Sequence, residues 1–216
     1  MVRLSRLGRI LHRRGEEERH KKQKGPIMLL CLAPGHGGHD SGVVGLHGLR
    51  ESDLNLDIAG RIATLALLDG WHINSTRSAD IFIPPDDQAH YANNRAADVL
   101  LAIHGNGSDN RKAHGVEFWT SRGQTESDKI VPHLERAWRD EFPDALIRTD
   151  WSDGDSDKEA GFAVISRSRC PAVLVEVGFV SHPETEVELK TPEYCQRIAS
   201  ALARGMKAWR ESKNVH

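Results

Sequence analysis

Residues 99–104 read VLLAIH, five apolar side chains in succession before a polar one. A strand with one face in water alternates apolar and polar residues, whereas an unbroken apolar run buries both faces. Two similar runs occur at Met28–Ala33 (MLLCLA) and Ala172–Val177 (AVLVEV). Between them lie helical patterns. Leu54, Ile58, Ile62 and Leu65 recur at three- and four-residue spacing, which predicts an amphipathic helix over Ser52–Leu68. Gly70 ends it, and Trp71–Thr76 reads as a second strand. Pro84-Pro85 excludes helix at that point, and a helix is expected to follow over Asp87–Ala97. Gly115–Thr120 (GVEFWT) alternates and reads as a strand nearer an edge. A helix over Glu126–Glu141, a polar loop over 143–160 and a further strand at Phe162–Ile165 come next. Tyr194, Ile198, Leu202, Met206 and Trp209 line one face of a C-terminal helix. Strands alternating with helices predict an α/β fold: a single domain with a mostly parallel, twisted sheet of about six strands and helices on both faces.

Length agrees, since 216 residues suit one well-buried domain. The net charge of −2 conceals an asymmetry. Residues 1–25 hold nine Lys/Arg against three Glu, and the remainder holds twenty against twenty-eight acidic groups. A slightly acidic body argues against a nucleic-acid partner, which would require a basic patch on the fold itself. Residues 1–26 are expected to form a basic charged arm ahead of a domain at 27–212. The arm is either disordered or a short amphipathic helix that attaches to an anionic membrane or wall surface. It has the charge of a signal peptide without the apolar core, and Arg13-Arg14 is followed by Gly-Glu-Glu-Glu rather than by a twin-arginine export pattern. Cys31, Cys170 and Cys195 are an odd, widely spaced set, expected to be reduced structural thiols. Synthesis in a cytoplasm, without a signal peptide, is the expectation, with a monomer as the default state.

In a parallel sheet, functional groups gather at the carboxyl ends of the strands. The first apolar run ends in Gly35-His36-Gly37-Gly38, inside LAPGHGGHDSG, and the third strand ends in Ile103-His104-Gly105-Asn106. The last strand carries Glu176 within Val175-Glu176-Val177-Gly178, a carboxylate in apolar surroundings, costly unless it is paired or near a metal. Glu51 reaches the same rim if the loop from 34 to 50 folds back. Two imidazoles and a carboxylate are the donor set of a catalytic zinc site, and a second carboxylate beside it suits a general base. His36, Glu51 and His104 are therefore candidate ligands and Glu176 a candidate base. Twelve histidines leave other combinations open, with His39 and His114 the nearest rivals. PGHGG fits neither of the common phosphate-cradle motifs, and no lysine follows it.

The chain resembles the zinc-dependent N-acetylmuramoyl-L-alanine amidases, a family shared by bacterial cell-wall amidases and many phage endolysins. The matching motifs run in order: PGHGG at 34–38, GLRESDLNLDIA at 48–59, STRSAD at 75–80 and AN at 92–93. IHGN at 103–106, GVEFW at 115–119 and PAVLVEVGFVSHPE at 171–184 complete the series. The resemblance implies zinc on His36, Glu51 and His104, with Glu176 catalytic, the same four residues that the strand ends select. Ala33, Gln88, Ala102 and His182 depart from residues common in the family, which touches positioning and substrate preference rather than the reaction.

The reaction so implied is hydrolysis of the amide between N-acetylmuramic acid and the L-alanine of the stem peptide in peptidoglycan. Asn106 and Arg148 are weaker candidates for substrate contact. Manganese or cobalt would suit the same donors. A chain made in a host cytoplasm without a signal peptide, acting on the wall after release, is expected to be a phage endolysin that lyses its host. A bacterial wall-remodelling amidase, a zinc carboxypeptidase acting within the stem peptide and a non-catalytic wall-binding module are the competing readings. The segment 150–157 reads as a solvated loop, its calcium-loop spacing incomplete.

Overall fold

The computed structural model describes residues 27–213; the basic arm at 1–26 lies outside them. The two innermost apolar runs become the centre of the sheet. Strand β1 (Leu29–Pro34) and strand β3 (Val99–Asn106) pair in parallel, Leu30 opposite Val99 and Pro34 opposite Ile103. Helix α1 (Glu51–Leu68) leads to β2 (His72–Ser75), parallel to β1 on its other side. Helix α2 (Pro85–Asn94) leads back to β3. Strand β6 (Ala172–Phe179) pairs in parallel with β3, which sets Glu176 opposite His104. Strand β4 (Glu117–Thr120) runs antiparallel to β6 and puts Glu117 opposite Glu176. The two-residue β5 (Lys158–Glu159) closes that edge. The order is β2-β1-β3-β6-β4-β5, the mostly parallel six-stranded sheet that the sequence predicts.

Successive strand residues point to opposite faces, and both faces are covered. Leu30, Leu32, Leu101, Ile103, Val173 and Val175 meet α1, α3 (Val131–Glu141) and α6 (Pro192–Ser212) on one side. Cys31, Ala33, Leu100, Ala102 and Leu174 meet α2 and the single-turn α4 (Ala163–Ser166) on the other. The alanines at 33 and 102 are both fully buried, so these two departures from the family pattern fall in a dry interior where apolar side chains fit. Among the described residues the cysteines are free, Cys31 and Cys195 buried. Burial pushes their thiols up to about 12 and about 11, which makes them inert packing groups.

Four expectations need correction. Phe162–Ile165 is no strand: Val164 and Ile165 bury themselves through one helical turn, and a four-residue apolar run does not distinguish the two conformations. Pro84-Pro85 does not exclude helix, because Pro85 is the first residue of α2, where a missing N–H costs nothing. The helix expected from Glu126 starts at Val131, after a turn in which the Asp128 carboxylate accepts from Thr125. The polar loop 143–160 contains β5, and a short helix α5 (Pro183–Leu189), unforeseen, is capped by the His182 ring accepting from Thr185 N–H.

Helix α6 packs on α3 through Gly205, where an added Cβ would lie 2.8 Å from the Leu134 Cα. Glycine to alanine inside a helix ordinarily stabilises by about 1 kcal/mol, but forcing backbone apart costs about 1–3 kcal/mol. Gly205→Ala is therefore expected to lower stability by about 1–2 kcal/mol net, read as a fall in melting temperature of about 2–8 °C. An unchanged or raised Tm would show that the α3–α6 contact yields.

Candidate active site

The site forms where three strand-end segments converge. After Pro34 the backbone continues one step, Gly35 N–H donating to Ile103 O, and then turns. His36 sits in the left-handed region at φ 60°. Gly37 and Asp40 close the turn with reciprocal backbone bonds of 2.7 and 3.0 Å. A side chain at Gly35 would begin 2.0 Å from the His104 ring, so glycine there is what lets that ring lie against the loop. The chain then folds back, the condition on which Glu51 reaches the rim: Glu51 N–H donates to Val43 O, and Glu51 opens helix α1.

His36, Glu51 and His104 each offer a ligand atom, all within 4.8 Å of one another. Glu51 Oε1 lies 3.1 Å from His36 Nε2 and 3.0 Å from His104 Nδ1. The rings stand edge-on at 5.1 Å between centroids. Behind His36, Asp40 Oδ2 lies 2.7 Å from Nδ1. A carboxylate at the outer nitrogen fixes the tautomer and aims the inner nitrogen, as in carboxylate–histidine–metal arrangements. The trio lines an open cleft of about 750 Å³ together with Asn106, Glu176 and Ser181.

Charge in this cleft is unevenly held. Burial disfavours ionisation of Glu51, but the hydrogen bonds from His104 and His36 outweigh it and hold its carboxyl well below the usual range. The same contact raises His36 to about 9 against the effect of its burial. Glu176 moves the other way, to about 8, because it is buried and then because Glu51 and Glu117 repel its charge. Its Oε2 is buried and has no hydrogen-bond partner among the described residues. An orphaned carboxylate oxygen on a residue that lines the same cleft as two imidazoles and a carboxylate is an acceptor awaiting a proton donor or a cation.

The structure brings His36, Glu51, His104 and Glu176 together. Asn106 also lines the cleft, with its Nδ2 donating to Glu117 Oε2 at 3.0 Å and its Oδ1 accepting from Gly107 N–H. Arg148 is not part of the lining; its Nε donates to Glu117 Oε1 at 2.7 Å and its guanidinium lies 5.4 Å from the Phe179 ring. The rivals stand apart, His39 against Phe82 and His114 against His182.

Four supporting residues escape sequence reasoning. Asp40 was visible only as part of a glycine-rich loop. Arg77 is 2% exposed and donates to the carbonyls of Pro34, Gly35, Ser52 and Ala79 at 2.7–3.1 Å, fastening the His36 loop to α1. Glu186 is fully buried and accepts from the N–H groups of His47 and Leu49, which fixes the loop preceding Glu51. Glu117 is 4% exposed and binds Arg148, Lys158, Asn106 and Trp119. Arg77 lies in the STRSAD stretch; nothing around Glu186 sets it apart from an ordinary solvated helix acid.

Residues 30–208 match the N-acetylmuramoyl-L-alanine amidase family. The chain belongs to this family. Among similar proteins, N-acetylmuramoyl-L-alanine amidase AmiA of Escherichia coli (strain K12) is 28% identical over an alignment 242 positions long, covering 94% of this chain and 84% of that protein. The structure of N-acetylmuramoyl-L-alanine amidase AmiC2 of Nostoc punctiforme superposes with a TM-score of 0.78 at 29% identity, over 85% of this chain and 97% of that one. An N-acetylmuramoyl-L-alanine amidase from Clostridium difficile 630 gives 0.78 at 28% identity, over 88% and 100%. This amidase therefore shares with these two solved structures a fold that spans nearly all of their chains.

The electrostatics of Glu176 have a measurable consequence in metal-free protein. Between the ordinary carboxylate value of 4.5 and about 8, the folded state keeps a proton that the unfolded state has lost. Stability contributed by that proton is full below the lower value and disappears as pH rises through the upper one. Glu176→Gln carries no such proton. Its Tm minus that of wild type is expected to grow by several degrees from pH 5 to pH 9. A difference constant with pH would show that Glu176 is ionised throughout.

Proposed function

We propose that this amidase is a zinc-dependent peptidoglycan hydrolase that cleaves the amide joining N-acetylmuramic acid to the L-alanine of the stem peptide. The observation that carries the reading is the convergence of His36, Glu51 and His104 with their ligand atoms within 4.8 Å, beside the orphaned Glu176 oxygen. Two imidazole nitrogens and one carboxylate oxygen fit zinc with a coordination position to spare. These three residues would hold the ion, and Asp40 would keep His36 aimed at it. When bound, zinc supplies a Lewis acid for the scissile carbonyl and the attacking water.

The chain's own residues supply the proton chemistry. Glu176 takes the proton from the water as the carbonyl is attacked and delivers it to the leaving amine of L-alanine. Burial and the neighbouring charges of Glu51 and Glu117 make it a stronger base than a solvated carboxylate. Glu117 stays ionised despite its burial because Arg148 and Lys158 hold its carboxyl low, so its repulsion on Glu176 persists across the working pH. Asn106 stands at the cleft wall, where its position suits contact with the glycan–peptide junction.

The organisms named for the relatives are bacterial, which supports wall remodelling by a bacterial enzyme. The lytic setting, with synthesis in a host cytoplasm and action after release, stands on the sequence expectation alone. In either setting the basic arm at 1–26 serves as an anionic-surface anchor. Deleting residues 1–26 is expected to weaken binding to intact anionic envelopes and leave hydrolysis of isolated peptidoglycan unchanged; equal envelope binding by the shortened chain would refute the anchor.

Purified peptidoglycan incubated with wild type is expected to release free stem peptides by mass analysis. Chelation should abolish release, and Glu176→Ala should reduce it by about 10²–10⁴-fold while zinc content stays intact. Trimmed peptides still attached to sugar would instead establish a carboxypeptidase.

A further inference from the structure

The charged side chains that line the cleft, apart from its two histidines, are the carboxylates of Asp40, Glu51, Asp109 and Glu176; among the described residues no lysine or arginine lines it. Three of these carboxylates have a place in the architecture already. Asp40 uses both oxygens, Oδ2 at 2.7 Å from His36 Nδ1 and Oδ1 accepting from Gly42 N–H at 3.0 Å. Glu51 Oε1 stands between the two imidazoles, and Glu176 is set within β6. Asp109 differs. It is exposed at the cleft wall, and among the described residues no hydrogen bond or ion pair reaches its carboxylate.

The loop that presents Asp109 is braced on both sides. Ser108 N–H donates to Ser181 Oγ at 2.9 Å, Ser108 Oγ accepts from Asn110 N–H, and Asn110 Oδ1 accepts from Lys112 N–H. Gly107 lies against Val43, where an added Cβ would come within 2.4 Å of Cγ2. A group on so firm a mount gives up little freedom when it binds. Meanwhile the basic groups around the cleft are turned to other partners. Arg148 and Lys158 hold Glu117, Arg50 meets Asp53 and Asp80, and Lys190 donates to His47 O. Arg111 and Lys112 follow Asp109 in the chain but do not line the cleft. A cleft walled by one sign of charge favours ligands of the other. A carboxylate can only accept, and its strongest partner is a charged donor.

In the stem peptide the α-amine of L-alanine is consumed by the scissile amide, and the far end is a carboxylate. A primary ammonium on that peptide must therefore come from an amine-bearing side chain. We infer that Asp109 is a specificity-determining residue that binds the side-chain ammonium of a diamino acid in the stem peptide. This assignment rests on the amidase reading for its substrate, and it gives the cleft a preference for stems whose amine is free.

The test reads binding apart from turnover. Zinc-loaded Glu176→Ala protein is titrated calorimetrically with two soluble N-acetylmuramoyl peptides that differ in one group, the side-chain amine of the diamino acid being free or acetylated. The free amine is expected to bind about 2–5-fold more tightly at low salt, and the ratio to fall towards one at about 1 M salt. Adding Asp109→Asn, an exposed change that leaves the loop's own hydrogen bonds in place, should remove the preference. The double variant then binds both peptides as the parent binds the acetylated one. No preference in the parent, or a preference that survives Asp109→Asn, overturns the assignment. Wild type on the same pair should show a KM difference of that size with kcat unchanged, because Asp109 meets the substrate away from the reacting amide. Failure of the amidase reading looks different: the binding preference would persist with no stem peptide released.

Discussion

One carboxylate oxygen ties the rim of the candidate active site together. Glu51 Oε1 lies 3.0 Å from His104 Nδ1 and 3.1 Å from His36 Nε2, and it also accepts from Gly105 N–H and Asn55 Nδ2. Glu51 Oε2 accepts from Val43 N–H at 2.9 Å. The loop after β1, the start of α1 and the end of β3 therefore share a single buried anion. Such an anion is costly by itself, but it stands at the first residue of a helix, where the backbone dipole favours negative charge. The surrounding loops exist in their present form because this charge must be met from several sides. Arg77 does the complementary task, its buried cation held by the Pro34, Gly35 and Ser52 carbonyls of the first two of these segments and by the nearby Ala79 carbonyl.

Against that well-satisfied anion, Glu176 is left unsatisfied. Three carboxylates stand along this rim, and their surroundings drive them apart. Glu51 is held low by imidazoles and Glu117 by a guanidinium and an ammonium, whereas Glu176 is pushed up by its own burial and by their repulsion, which His36 and Lys158 offset only in part. Divergent environments for neighbouring carboxylates separate binding from acid–base work. A cation held at Glu51 would offset part of the repulsion on Glu176, tying the basicity of the proposed proton-transfer group to occupancy of the proposed metal site.

The sheet and three of the four central residues, His36, His104 and Glu176, were legible in the sequence because each has a local signature, whereas Glu51 opens a helix and reaches the rim only because the loop before it folds back. An unbroken apolar run demands burial on both faces, and a histidine or glutamate at its carboxyl end breaks the pattern at a position where parallel sheets gather function. The supporting residues have no such signature. Arg77 acts through carbonyls, which any residue supplies, and Glu186 acts through the N–H groups of a loop 137 and 139 positions away in sequence. The misread strand at 162–165 fails for a related reason: its conformation is chosen by the face it covers, formed by Leu100, Ala102 and Leu174 from distant strands. Local pattern reports what a residue needs; which partner meets that need is decided by topology.

Topology also explains why Glu117 is there at all. Only residues 107–116 separate β3 from β4. A parallel return requires a crossover of a dozen or more residues, usually with a helix, so β4 enters from the same rim and runs antiparallel. Its first residue therefore lies at the catalytic rim rather than at the opposite end of the sheet. That residue is Glu117, directly opposite Glu176 across the ladder. Had β4 followed the direction of its neighbours, the rim would face its last residue, Thr120, and the charge would stand at the far side. The short connection thus sets the electrostatics of Glu176: it delivers a buried negative charge to its flank, with Arg148 and Lys158 arranged to keep that charge ionised.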